Sequence, residues 1–260
     1  MSLTLLVVLG LQGAIAQDWQ LVKKVDVPAT ITAFSGDKVG NLFVATARGE
    51  LIKFNSSLKQ LISNSVPNRN SIDLIEARNA LTPITFSRQN QEVLVYDRFL
   101  ANPIQYEIRR FSNRYVWLMS PAPDQDFWFL INDPPTLVKY NRQTGTEAIR
   151  AQLQTNFQFE NIQYLKVESN YILLVDSQFG IYVFDLFGNE VLHLEVTGVQ
   201  HAHVSGDNMI AVVDKKLFEY NLKNASRKEL TIPLIAEGVI KSADKYYFFS
   251  QKSISLYQLN

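Results

Sequence analysis

The chain has 260 residues, 47% hydrophobic and 19% charged, with Lys plus Arg equal to Asp plus Glu at 25 each. That length holds one or two ordinary domains, and the zero formal charge gives no support to a nucleic-acid partner or an anionic membrane surface. With no cysteine in the sequence, disulfides, thiol catalysis and Cys-ligated metals are excluded.

Residues 1–16 carry no charged side chain, and their apolar run, broken by Gly10, Gln12 and Gly13, is short for a membrane span. Ala14-Ile15-Ala16 before Gln17-Asp18 is a small-x-small cleavage pattern, so residues 1–16 are expected to be a secretory signal peptide and 17–260 the domain it delivers. A buried N-terminal strand is the alternative. An exported chain of this size without cysteine fits a bacterial periplasmic or extracellular protein, stabilised by a large sheet core.

Strand-like runs follow one another from Trp19 onward. Residues 19–27 (WQLVKKVDV) precede a first unit that begins at Ile31 and continues through 41–46, 50–54 and 59–62. The second unit is less regular. Its inner segment 71–81 (SIDLIEARNAL) is expected as a strand, although Ile72, Ile75 and Asn79 show near-helical spacing; 83–86 and 92–96 follow. The third unit has runs at 115–119, 127–131, 136–140 and 146–151. The fourth is the clearest: 161–168, 171–175 and 181–184 are nearly continuously apolar, whereas 190–196 alternates as an outer strand with one wet face does. The fifth comprises 201–204, 209–213, 217–220 and 229–232, and the sixth 238–241, 246–249 and 254–257. The sixth is one strand short, so 19–27 is expected to supply its outer strand and close a ring.

One short pattern recurs six times. A hydrophobic run ends in an aromatic, followed by Asn or Asp in five cases: Phe54-Asn55, Tyr96-Asp97, Tyr140-Asn141, Phe184-Asp185, Tyr220-Asn221 and, with Gln second, Tyr257-Gln258. The intervals of 42, 44, 44, 36 and 37 residues predict an all-β, six-bladed β-propeller with four-stranded blades. Each Asn or Asp is expected to bond a backbone N–H two residues on, and each aromatic to fill the wedge between neighbouring blades. Seven blades would need a shorter repeat that the sequence lacks, and a β-sandwich leaves the shared register without a cause.

Residues 180–191 (GIYVFDLFGNEV) resemble the second half of an NHL-type repeat, and 40–54 (GNLFVATARGELIKF) its middle. The chain from 19 to 260 thus resembles six-bladed propellers of the NHL and TolB-like group, without the Pro-containing first half of an NHL unit. The resemblance implies the propeller fold. On function it is broad, since that group includes binding modules, scaffolds and some hydrolases or lyases.

Loops joining second to third strands converge over one end of a propeller channel, where ligands are commonly held on a rigid scaffold. Arg88, Asp133, Asp176 and Asp214 fall on such loops. His201 and His203, two apart on a strand, share a face. These six residues form a candidate channel-face ligand site. A His201/His203/Asp176 or Asp214 set has the donor chemistry for a divalent metal; turn capping by the Asp residues and structural roles for the imidazoles are the simpler alternatives. No other cofactor is expected. No G-x-S-x-G, H-E-x-x-H, P-loop or G-x-G-x-x-G occurs in the chain. The expected role is therefore a non-catalytic binding or scaffold propeller with a protein partner in an envelope assembly or a small ligand. The alternative is a metal-dependent hydrolase or lactonase-like enzyme acting at the channel mouth.

Overall fold

Short apolar runs separated by Asn-, Asp- and Gly-bearing turns build six four-stranded antiparallel sheets, five of them traced in chain order from the channel outward. The computed structural model describes residues 18–65, 71–132, 134–153, 159–168, 170–224 and 226–259; the expected signal peptide lies outside them. Blade 1 contains β2 (Ile31–Gly36), β3 (Leu42–Thr46), β4 (Glu50–Phe54) and β5 (Gln60–Ser65). Blade 2 contains β6 (Leu74–Glu76), β7 (Ile84–Ser87), β8 (Glu92–Val95) and β9 (Ile104–Glu107), and blade 3 β10 (Val116–Pro121), β11 (Phe127–Ile131), β12 (Thr136–Tyr140) and β13 (Glu147–Gln152). Blade 4 is β14 (Ile162–Glu168), β15 (Tyr171–Asp176), β16 (Gly180–Asp185) and β17 (Glu190–Leu194). Blade 5 is β18 (Ala202–Ser205), β19 (Asn208–Val213), β20 (Lys216–Asn221) and β21 (Ser226–Thr231).

Blade 6 is composite. β22 (Gly238–Ser242), β23 (Lys245–Ser250) and β24 (Ser253–Leu259) receive β1 (Trp19–Asp26) as their outer strand. The register runs from Trp19 opposite Leu259 to Asp26 opposite Ser253. The expected seam is thus present, and an open edge on β24 is covered.

The recurrent aromatics occupy the six wedges between blades. Phe54 packs with blade 6 residues such as Tyr247 and Phe249, Tyr96 with blade 1, and Tyr140 with blade 2. Phe184 packs against blade 3, Tyr220 against blade 4, and Tyr257 against blade 5. The Asn or Asp after five of these aromatics does the turn work, whereas Gln258 lies within β24. The side-chain oxygen of Asn55 accepts from Ser57 N–H at 3.0 Å and Lys59 N–H at 2.8 Å. Asp97, Asn141, Asp185 and Asn221 each likewise accept from the N–H two residues on, at 2.8–3.1 Å.

Blade 2 departs from expectation. Its inner strand spans only Leu74–Glu76, and the chain then turns. Asn79 Oδ1 accepts Leu81 N–H at 3.1 Å and the Asn79 carbonyl accepts Thr82 N–H at 3.0 Å, so the near-helical spacing there marks a turn. Around the channel, serines stitch inner strands together. Ser35 Oγ accepts Ala77 N–H at 3.1 Å, and Ser120 Oγ accepts Val167 N–H at 2.9 Å. Among the described residues no helix is long and apolar enough to cross a membrane.

Candidate functional site

The six inner strands run in the same direction, so residues at their starts meet at one mouth of the channel and residues at their ends at the other. The upper mouth, at the starts, holds a cavity of about 480 Å³ lined by Thr32, Phe34, Asp73, Tyr164, His201 and Glu237, among others. Ser250, the last residue of β23, also lines it. At the lower mouth, a cavity of about 270 Å³ is lined by Arg78, Lys166, Glu168, His203 and Lys241.

His201 immediately precedes β18 and is held between two aromatic rings, with centroids 4.4 Å from Phe34 and 4.4 Å from Tyr164. Phe34 is itself stacked on Phe249 at 3.9 Å. The packing works because Gly238 has no Cβ: one placed there would lie 2.2 Å from the Phe34 ring. His201 is 8% exposed, and its buried Nδ1 has no hydrogen-bond partner. Thr32 Oγ1, from another residue lining the same cavity, is also buried and unpartnered. Buried polar atoms without a protein partner are uncommon in folded proteins, and at a cavity wall such atoms are open to a water or a bound molecule. Burial, then the nearby His203 and Lys166, holds the His201 imidazole well below its usual protonation range. It is a neutral base at pH 7.

His203 is pushed down to about 4 by burial and by Lys166, against the opposing pull of Glu76 and of the bond it donates to the Lys241 backbone carbonyl. Beside it, the carboxylate of Glu76 at the end of β6 pairs with the ammonium of Lys166 on β14, joining blade 2 to blade 4. Arg78 extends the bridge, donating to the Val167 carbonyl at 2.7 Å and pairing with Glu168 at 3.3 Å. Burial raises the Glu76 carboxyl, but the charges of Lys166 and Arg78 and the bonds these residues donate outweigh it and leave Glu76 below its usual value.

The expected site residues are distributed differently. His201 and His203 do share the channel face, but line cavities at its two ends. Arg88 is bound to Asp73, its backbone N–H donating at 2.8 Å and its guanidinium at 3.3 Å, with Trp117 beneath it at 4.5 Å. Asp73 brings that pair to the upper cavity. Asp176 is fully buried, and its Oδ1 accepts from Gln178 and Phe179 N–H at 2.8 and 3.0 Å as a turn cap.

Asp214 is exposed at φ +52° in a two-residue hairpin turn, and Asp176 is the last residue of its strand before a three-residue turn, so the two are not equivalent. Asp133 lies outside the described residues. Among the described residues, no three His, Asp or Glu side chains are grouped to hold a metal ion, so His201, His203, Asp176 and Asp214 do not form one ligand set.

The sequence reading missed Glu76, Lys166, Arg78 and Asp73. The available signal was an ionisable residue inside an otherwise apolar inner strand: Lys166 between Leu165 and Val167, and Glu76 between Ile75 and Ala77.

No family model matches the chain, and no curated protein matches it in sequence. Solved structures do match its fold. A virginiamycin B lyase from Staphylococcus aureus superposes with a TM-score of 0.61 at 10% identity, covering 94% of this chain and 100% of that one. A streptogramin B lyase gives a TM-score of 0.66 at 10% identity, covering 94% and 98%. These neighbours establish the six-bladed propeller. They also overturn the expectation of a non-catalytic scaffold, which rested on absent motifs: proteins named as lyases are built on this same ring, so missing motifs do not argue against an enzyme here.

Proposed function

We propose that this chain is an enzyme whose chemistry takes place in the upper mouth of the channel, with His201 as proton acceptor and eliminative bond cleavage as the reaction. The observation that carries this reading is the buried, neutral imidazole with an unpartnered Nδ1, in a residue lining a cavity of about 480 Å³. A general base needs to be unprotonated at working pH and within reach of the proton it removes. His201 meets the first condition and borders a space for a substrate that meets the second. In elimination, the imidazole takes a proton from carbon and that C–H electron pair becomes a double bond. The bond to the leaving group then breaks, its electron pair departs with the leaving atom, and that atom takes up a proton. The lyase names of the fold neighbours favour this class over hydrolysis, the other chemistry open to the same base.

The test incubates wild type and His201→Gln with a panel of cyclic and linear esters and lactones, including a streptogramin B, with product masses recorded. Elimination gives an unsaturated product; hydrolysis adds one water. Wild type is expected to eliminate at least one panel member, and His201→Gln to lower kcat/KM by about 100-fold or more. No turnover of any panel member, or an unaffected variant, removes the assignment. A chelator arm reads whether a divalent ion assists.

Membership in the NHL and TolB-like group and a periplasmic or extracellular location belong to the same proposal. They are supported by the quoted repeat segments, the charge-free residues 1–16 and the lack of cysteine. Fractionation of cells expressing the full chain checks the location.

A further inference from the structure

The ion pair between Glu76 and Lys166 lies at the lower end of the channel, where Lys166 lines the same cavity as His203, and the chemistry above does not use it. Buried pairs of this kind seldom add net stability, because removing two charges from water costs about as much as their attraction returns. Lys166 is 8% exposed and Glu76 6%, so this pair carries that cost in full. Its position says what it does. We infer that Lys166, pinned across the channel by Glu76, is the positioning residue for the channel base, fixing a positive charge on the channel face that both imidazoles share, in the cavity that His203 lines. This rests on the reading of His201 as the base.

The surroundings single out Lys166. On β14 it lies two residues beyond Tyr164, whose ring packs on His201, so strand alternation puts both side chains on the channel face. His203 and Lys166 line the same lower cavity. The other charged groups there are engaged or remote. Arg78 is bound to Glu168 and the Val167 carbonyl, and the Lys241 ammonium turns to Glu219 at 2.8 Å. The Asp37 carboxylate accepts from Val39 and Asn41 in its own loop, and Lys38 is exposed at the rim. On the upper side, Asp73 is taken by Arg88 and Glu237 is exposed. Among the described residues, Lys166 is the one cation acting on both His201 and His203, and Glu76 acts on His203 in the opposite sense.

A charge held next to an imidazole disfavours its protonation. Lys166 therefore keeps both imidazoles unprotonated, so that His201 meets a substrate as the neutral base. Glu76 prevents Lys166 from swinging out to water, and the serine link from Ser120 to Val167 holds β14 in place.

The chain has three histidines, so imidazole titrations by NMR on the intact protein can be followed singly. The His203 midpoint is expected to rise in the order Glu76→Gln, wild type, Glu76→Gln/Lys166→Met, Lys166→Met, with the last at least about one pH unit above wild type. Lys166→Arg is expected to restore the wild-type midpoint, which a merely structural role would not require. The acid limb of kcat/KM, which reports His201, should move to higher pH in Lys166→Met. Coincident midpoints in wild type and the double variant, or a reversed order, overturn the inference. Should Lys166→Met fail to fold because Glu76 is left unpaired, the double variant and Glu76→Gln still decide. The titrations need no substrate. Shifted midpoints without turnover therefore defeat the enzyme reading alone, and turnover with coincident midpoints defeats this inference alone.

Discussion

The indole N–H of Trp19 donates to the backbone carbonyl of Thr231 at 2.7 Å, fastening the first strand of the chain to the outer strand of blade 5. The same indole meets Tyr246 edge-on at 5.0 Å and Phe248 at 5.6 Å. One residue therefore closes the ring twice, within blade 6 and across to its neighbour.

Trp19→Ala is expected to lower stability by about 2–3 kcal/mol, less than a fully buried Trp would cost because Trp19 is half-buried. Urea unfolding measures it. Removal of residues 18–26 should expose the β24 edge and produce concentration-dependent association in size-exclusion chromatography. A truncated chain that stays monomeric with unchanged stability would contradict the role of the seam.

At the recurrent turns the shared requirement is an acceptor oxygen, since Asn and Asp serve the same geometry in different blades. Asp185→Asn keeps that acceptor and is expected to cost less than removing it, the second carboxylate oxygen's bond from the Asn189 side chain being what it gives up. Asp185→Ala should cost about 1 kcal/mol, because Phe187 and Asn189 N–H lose their acceptor. Thermal unfolding of the two variants side by side checks the difference.

Gly180 and Gly206 both have positive φ, but only one is enclosed. A Cβ on Gly180, at φ +107°, would lie 2.1 Å from the Leu194 carbonyl oxygen, whereas one on Gly206, at φ +60°, meets nothing within 4 Å. Gly180→Ala should cost about 3 kcal/mol or prevent folding, and Gly206→Ala about 1 kcal/mol. Equal effects would show that the β16 start gives way more readily than its backbone contacts imply.

His203 makes stability depend on pH in a stated direction. Its folded value of about 4 lies below the unfolded value of about 6.5, so the unfolded chain binds the extra proton. The contribution is fully present above pH 6.5 and is lost as pH falls toward 4; at pH 5.5 the loss is about 1 kcal/mol. Replacing the residue, as in His203→Gln, should flatten the fall in urea midpoint between pH 7.5 and 5. Parallel slopes would show that His203 binds its proton in the folded state as it does in the unfolded chain.

The sequence by itself determined the ring. The aromatic–Asn/Asp register, the two-residue alternation of the outer strands and the surplus segment 19–27 are local or periodic features, and β-structure repeats them wherever they occur. In the second unit the runs 83–86 and 92–96 were legible as strands, but the end of the inner strand at Glu76 was not, because Ile72, Ile75 and Asn79 at near-helical spacing do not distinguish a strand from a turn. The site was legible in part. Both histidines fall on one strand face by period alone, yet their assignment to opposite mouths depends on where β18 crosses the channel. Asp176 and Asp214 follow similar runs but differ in turn length, which separates a buried cap from an exposed turn residue. Glu76 and Lys166 lie 90 residues apart, on inner strands that skip a blade, and no local pattern pairs them. Their charges make contact only because closing six blades around an axis brings those two edges together. The tertiary structure decided the charge state of the channel for that reason: it depends on distances and burial across the ring, while local spacing records only which side of a strand a residue takes.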